Sequence, residues 1–270
     1  MGGIVRWLSV TGNTVAARYR PLRPGIKHSL RSSLIVSLTS YKPRFLTLSF
    51  TLRCLLSQDV QPDALVLWVA HEDRSSLPDD VVKLQRYGVI IRECDDLGSY
   101  KKIIPGLDAY PGAFIATADD DIAYPRDWLR RLLGACRSER EIVGHYGRRI
   151  KFHANQLAPY EQWCRLSSDA AGKDVFLIGM GGVLYPPGSL PLQTGDKAAF
   201  MRLCPHADDI WLHWMGSLAG CTFRCVRPPR EFVPWGKSQR IALWRTNVAA
   251  GRNDEAVAAM VNSYGHPLLS

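Results

Sequence analysis

Apolar residues recur along this chain in two alternating rhythms: short unbroken runs, and longer stretches with one apolar face. Leu34-Ile35-Val36-Ser37-Leu38 is an unbroken run closed by Thr39-Ser40, which predicts a buried strand. Between Arg44 and Gln58, residues Phe45, Leu48, Leu52, Leu55 and Leu56 share one face at helical spacing, so a helix follows the strand. The alternation continues with a strand over 64–70, a helix over 78–87, a short strand over 88–92, a helical stretch over 100–110 interrupted by Pro105, and a strand over 113–118. After a helix over 125–136 the rhythm loosens. Strands are predicted over 141–145, 175–180 and 222–226, with a helix over 207–218. Continuously apolar strands alternating with helices predict an α/β fold whose mostly parallel central sheet is covered by helices.

Residues 1–32 show little periodicity and carry the breakers Pro21, Pro24 and Gly25, so they read as an N-terminal extension. No internal repeat, low-complexity segment or long linker follows. The remainder, 33–270, is therefore expected to be a single domain, with a regular half over 33–125 and a less regular half, ending in a C-terminal loop, over 126–270.

Composition narrows the picture. With 46% hydrophobic and 22% charged residues, the chain has the makeup of a globular protein able to bury a large core. The formal net charge of +9 is concentrated early: no Asp or Glu precedes Asp59, whereas Arg6, Arg18, Arg20, Arg23, Lys27, Arg31, Lys42, Arg44 and Arg53 do. Such a basic end suits peripheral contact with an anionic membrane, approach to an anionic acceptor, or solvation. No nucleic-acid recognition motif accompanies it, so nucleic acid is not an expected partner. No run approaches the roughly 20 apolar residues that span a bilayer, and 1–30 lack the apolar centre of a secretion signal. The expected location is cytoplasmic, with the inner face of the membrane within reach. The 7 cysteines include no C-x-x-C pair and read as reduced thiols.

The strongest chemical signal is Asp119-Asp120-Asp121, placed where the strand over 113–118 ends. Adjacent carboxylates repel and raise one another's pKa, so something cationic should compensate them. Hard divalent ions such as Mg²⁺ and Mn²⁺ bind through one or two carboxylates and complete their shell with water and substrate phosphate. The competing reading is a solvated turn that caps the helix after it. A parallel sheet binds its ligands beyond the carboxyl ends of its strands, where this triplet falls. Gly236-Lys237-Ser238 does not form a phosphate loop, because Glu231 stands where G-x-x-x-x-G-K needs glycine. The serine-hydrolase, zincin and dinucleotide fingerprints are absent as well.

Taken in order, five segments resemble the GT-A glycosyltransferases, in particular family 2-like enzymes of the kind that build bacterial surface polysaccharides. They are Val36-Ser37-Leu38-Thr39-Ser40-Tyr41, Asp95-Asp96-Leu97-Gly98-Ser99-Tyr100-Lys101-Lys102, Ala118-Asp119-Asp120-Asp121-Ile122, Gly179-Met180-Gly181-Gly182-Val183-Leu184-Tyr185-Pro186 and Ala207-Asp208-Asp209-Ile210-Trp211-Leu212. The resemblance implies a GT-A fold and a glycosyltransferase that uses Mn²⁺ or Mg²⁺, a nucleotide-sugar donor and a glycan or glycolipid acceptor, with 33–125 as the nucleotide-sugar-binding half and 126–270 as the acceptor-binding half. It implies donor contacts from Ser37, Thr39, Ser40, Tyr41, Lys101, Lys102, Asp119 and Asp120, with Asp121 and Asp119 toward the metal. Direct transfer to a hydroxyl needs a base, and the resemblance favours Asp209 of the Asp208-Asp209 pair, with inversion as the expected outcome. Gly181, Gly182 and Trp211 are expected on the acceptor side; a plain β-bulge is the rival reading of the glycines. His213, one helical turn beyond Asp209, reads as a third metal ligand, a group orienting Asp209, or a core histidine beside Trp211 and Trp214. A loop from Trp235 to Arg240 has the polar and aromatic character of a segment closing over the donor. The alternative to an enzyme is a non-catalytic nucleotide-sugar or glycan-binding module on the same fold.

Overall fold

The unbroken apolar runs become strands whose residues are covered on both faces. In the computed structural model, which describes residues 21–23, 25–153, 156–167, 169–226, 232–235, 251–266 and 268, these are β1 (Leu34–Thr39), β2 (Ala64–Ala70), β3 (Val89–Cys94) and β4 (Phe114–Ala118). Leu34, Val36, Leu38, Val66, Leu67, Val69, Ile115 and Ala116 are all essentially inaccessible to solvent, which is why these strands show no polar alternation. The architecture is α/β, with mostly parallel strands flanked by helices.

The chain divides into two compact units: the described residues of Met1–Leu97, Lys101–Arg131 and Glu231–Ala242, and those of Gly98–Tyr100, Leu132–Arg230 and Leu243–Ser270. In the first unit the strands run in the spatial order β4-β1-β2-β3, and every pairing among them is parallel. The chain therefore builds outward from β1 to β3 and then returns to the other side of β1 to lay down β4. The carboxyl ends of β1 and β4 flank the point where the order reverses, the position at which an open parallel sheet leaves a crevice. Helix α1 (Phe45–Leu56) follows β1 after a 3₁₀ turn over Lys42–Arg44, and buries Phe45, Leu48, Leu52 and Leu55. The helical stretch interrupted by Pro105 resolves into a 3₁₀ turn over Gly98–Lys102 and a short α2 (Ile104–Ala109). Pro105 lies in the first turn of α2, where its missing N–H has no partner to lose.

Helix α3 (Trp128–Ala135) leads into the second unit. There β5 (Glu141–Arg149) runs antiparallel to β7 (Val175–Tyr185) and parallel to β8 (Thr222–Cys225), while β6 (Ala170–Gly172) pairs antiparallel with β8. Both β5 and β7 extend beyond their predicted ends: Gly147–Arg149 and Gly181–Gly182 break the apolar runs, while pairing between the two strands reaches Arg149 and resumes at Val183 after a register shift. Two helices of this unit carry too short an apolar stripe for the periodicity to mark them, α4 (Lys197–Leu203) and α6 (Arg252–Tyr264). Between them in the chain lies α5 (Asp208–Leu218), as predicted. Among the described residues no helix is long and apolar enough to cross a membrane. Residues 1–20 and Pro24 of the expected extension, and residues 236–240 of the expected closing loop, lie outside the described residues.

Candidate active site

The end of β1 and the end of β4 meet at side-chain level. Ser40, one residue past β1, donates its hydroxyl proton to Oδ2 of Asp120 at 2.6 Å. Arg44, the last residue of the 3₁₀ turn before α1, brings Nη1 to 2.8 Å from the other oxygen of Asp120 and to 3.4 Å from Oδ2 of Asp121. Asp120 is buried, and both its oxygens are engaged. Burial pushes its carboxyl up, while the Arg44 guanidinium and the Ser40 hydroxyl pull against that rise. The same pairing raises the Arg44 pKa against its own burial, so Arg44 stays charged. The central carboxylate of the triplet thus has its counterion within the chain.

The backbone of the triplet is pinned as firmly as its centre. Thr51 on α1 donates to the carbonyl of Asp120 at 2.8 Å and accepts from Nε1 of the buried Trp235 at 2.8 Å. The Trp235 amide donates to the carbonyl of Asp121, and the two-residue strand Val233–Pro234 pairs antiparallel with Ile122–Ala123. The amide of Asp119 donates to the hydroxyl of Tyr124 at 2.8 Å. Tyr124 is wholly buried, and burial together with the nearby carboxylates keeps it a neutral phenol. Trp235 therefore belongs to the packing around the aspartates. The sequence reading puts Trp235 in a loop closing over the donor and gives Arg44 and Thr51 no part in the site; the signal for those two is their small distance from Ser40 in the chain.

Of the other residues expected at the donor, Ser37 is fully buried, donating to the carbonyl of Lys102 at 2.7 Å and accepting from Nε1 of Trp68 at 3.1 Å. Thr39 donates to the carbonyl of Trp68. These two hold strands and turns together. Tyr41 is partly exposed, with the Arg44 guanidinium 5.8 Å from its ring centre. Lys101 is buried in an ion pair with Asp96, and Lys102 is buried as well.

Asp208, Asp209 and His213 belong to the second unit. Asp208 and Asp209 open α5, where the unsatisfied N–H groups of a helix start favour negative charge. Asp208 is buried and accepts from the Ser99 hydroxyl at 2.8 Å, while Asp209 is partly exposed. Beside Ser99, Tyr100 is buried against Phe200 with ring centres 4.2 Å apart, and its hydroxyl donates to the carbonyl of Cys204. Trp211, expected toward the acceptor, is instead a core residue with no exposed surface; its indole donates to the carbonyl of Thr194 at 3.0 Å. His213, expected toward a metal, packs among Phe176, Trp214 and Phe223, and neither ring nitrogen has a hydrogen-bond partner. Burial lowers its pKa to about 3, so the ring is neutral near pH 7. A turn back along the helix, Asp209 shares with it the lining of a small cavity completed by Tyr185, Leu212 and apolar neighbours. Gly181 and Gly182 adopt φ of 80° and 99° where the β5–β7 register shifts between Ile178 and Val183, so both lie in a β-bulge that residues with a Cβ adopt only under strain.

Among the described residues no group of three or more His, Cys, Asp or Glu is arranged to hold a metal ion. Asp119 and Asp121 supply hard oxygen donors of the type that takes Mg²⁺ or Mn²⁺ together with phosphate, a chemistry that needs only one or two protein carboxylates. The donor set fits such an ion in that limited sense.

No family model matches the chain, and no curated protein matches it. Among solved structures it is similar to a mannosyltransferase from Pyrobaculum calidifontis in complex with GDP-Man and Mn²⁺, at 15% identity and a TM-score of 0.32 over 52% of this chain. The chain spans less than half, 45%, of that protein. It is also similar to the inositol-1-phosphate CTP transferase from T. maritima, at 9% identity and a TM-score of 0.42, over 88% of this chain and 99% of the other. At these scores neither likeness carries a functional assignment.

Proposed function

We propose that this protein is a metal-dependent glycosyltransferase of the GT-A type, transferring a sugar from a nucleotide-sugar donor to a hydroxyl of a glycan or glycolipid. One observation carries the reading: strand order reverses between β1 and β4, and the residues that follow those two strands, Ser40 and Asp119–Asp121, converge at that reversal. An open parallel sheet binds nucleotides at such a point, and the carboxylates there match the donors a diphosphate-bound cation takes.

In this reading Asp121 and Asp119 hold the cation, Tyr41 and the β1 turn face the donor, and Ser40 holds Asp120 in place. The cation, when bound, neutralises charge developing on the leaving nucleoside diphosphate. Asp209 takes the proton from the acceptor hydroxyl as that oxygen attacks the anomeric carbon, an in-line displacement that inverts configuration. The bulge at Gly181–Gly182 lets backbone rather than side chain line the acceptor side. The reaction is assigned to the cytoplasm, with the basic N-terminal segment against anionic lipid.

The test is thermal shift and calorimetry with a panel of UDP-, GDP- and CDP-linked sugars, with and without Mn²⁺. Asp121→Asn is expected to abolish the Mn²⁺-dependent part of donor binding. Asp209→Asn is expected to keep donor binding while transfer falls by roughly 10²–10⁴-fold. Unchanged Mn²⁺ and nucleotide affinity in Asp121→Asn refutes the site. Tight donor binding with neither transfer nor release of nucleoside diphosphate makes the protein a binding module instead.

A further inference from the structure

Three successive carboxylates at a strand end look like one cation site, but the side chains divide them into two kinds. Asp120 is consumed: Oδ1 takes Arg44 and Oδ2 takes Ser40, its carbonyl takes Thr51, and its side chain has almost no exposed surface. Arg44 is itself largely buried and reaches past Asp120 to within 3.4 Å of Asp121. A divalent ion approaching Asp121 therefore meets a fixed guanidinium beside the same oxygen. In a water-poor site that repulsion is weakly screened.

From this the geometry points to Arg44 as a built-in competitor of the divalent cation, a positioning residue that makes metal entry conditional on the anionic diphosphate. The inference rests on the proposed donor site. Without nucleotide, Arg44 neutralises part of the triplet and holds the aspartates in place, so the metal ion gains little by binding. A nucleoside diphosphate brings negative charge that faces both cations at once, and the repulsion between them is offset. Metal and nucleotide then bind interdependently, which keeps the empty site from filling with whichever divalent ion is abundant. Asp120 acts by anchoring Arg44 rather than by touching the metal.

The decisive measurement is Mn²⁺ affinity of the full-length protein without nucleotide, read from the electron paramagnetic resonance signal of free Mn²⁺. Arg44→Gln is expected to bind Mn²⁺ about tenfold or more tightly than the wild type, since a charge adjacent to the site is removed. A merely structural role predicts the opposite, because a disordered triplet binds the ion less well. Adding UDP or GDP should tighten Mn²⁺ binding to the wild type strongly and to Arg44→Gln much less. Unchanged or weakened Mn²⁺ affinity in folded Arg44→Gln overturns the inference. Should that variant not fold, Asp120→Asn and Arg44→Gln/Asp120→Asn decide it. The single variant leaves Arg44 pressed on Asp121 and is expected to bind Mn²⁺ about tenfold more weakly than the double variant; equal affinities refute the competition. A wild type that binds no nucleoside diphosphate with Mn²⁺ sinks the donor site itself, whereas the Arg44 comparison with Mn²⁺ alone is read independently of that result.

Discussion

The two acidic clusters of this protein solve the same electrostatic problem in different ways. At Asp119–Asp121 the chain brings in a full positive charge, Arg44, and surrounds the central carboxylate with donors from β1, α1 and the Trp235 segment. At Asp208–Asp209 the pair begins a helix, and Asp208 accepts from the neutral hydroxyl of Ser99. The contact at Asp120 is an ion pair with little solvent around it, and the contact at Asp208 is a neutral hydrogen bond at a helix start.

Breaking the ion pair should reveal the difference most strongly. Asp120→Ala leaves Arg44 buried beside a lost partner and removes the acceptor for Ser40, for an expected loss of about 3–5 kcal/mol in urea unfolding. Restoring a matched pair of neutral groups, as in Arg44→Gln/Asp120→Asn, is expected to recover most of that loss. If Asp120→Ala unfolds at the wild-type urea midpoint, the pair is a surface contact in solution and the contrast between the clusters disappears.

The second unit should show its character through pH. His213 is neutral in the folded chain down to about pH 3, whereas in the unfolded chain it protonates near 6.5. Below 6.5 the unfolded state binds a proton that the folded state refuses, so stability falls as pH drops from 6.5 toward 3, by on the order of 1.4 kcal/mol per unit from this group alone. His213→Phe removes the proton and keeps an aromatic ring among Phe176, Trp214 and Phe223. Its stability at neutral pH should match the wild type, since neither ring nitrogen loses a partner. Its stability should decline less on acidification, measured by urea midpoints at pH 7 and pH 4.5. An unchanged acid slope would show that His213 reaches water.

These contrasts also mark what the sequence could and could not convey. The strands of the first unit were legible because burial on both faces leaves an unbroken apolar run, and β2 matches its predicted limits residue for residue. Placement of the aspartates at a strand end followed from the same pattern. Their counterion did not, because the pairing of Arg44 with Asp120 spans 76 residues and depends on which strands become neighbours. Helix α6 stayed hidden because only Ala256, Val257 and Met260 are buried in its 13 residues. Trp211 misled for a related reason: it follows the acidic pair on one helix, where each residue rotates by about 100° and two positions carry a side chain from one face to another; for His213 the packing supports the core-histidine reading. Nothing in the run Asp-Asp-Ile-Trp-Leu-His tells which face of α5 packs inward; the aromatic neighbours Phe176, Phe200 and Phe223 do, and they come from other elements.

The smallest expected effect tests the second cluster directly. Ser99 lies in the Asp95–Lys102 segment that sequence placed at the donor, yet its hydroxyl points to Asp208 at the start of α5. Ser99→Ala removes one donor from a buried carboxylate and should cost about 1–3 kcal/mol, the range for a lost hydrogen bond to a charged group. Asp208 keeps its place in the first turn of α5, where the helix dipole favours a negative charge, which argues for the lower end of the range. If the two clusters differ as described, the loss from Ser99→Ala stays well below the loss from Asp120→Ala when both are measured by urea unfolding at pH 7. Equal losses would mean that the neutral Ser99 hydroxyl matters as much to Asp208 as the guanidinium does to Asp120, and the contrast between the two contacts would be gone. A smaller loss at Ser99, joined to full retention of Mn²⁺ binding, would place the Gly98–Tyr100 turn with the helix that carries Asp209 rather than with the metal.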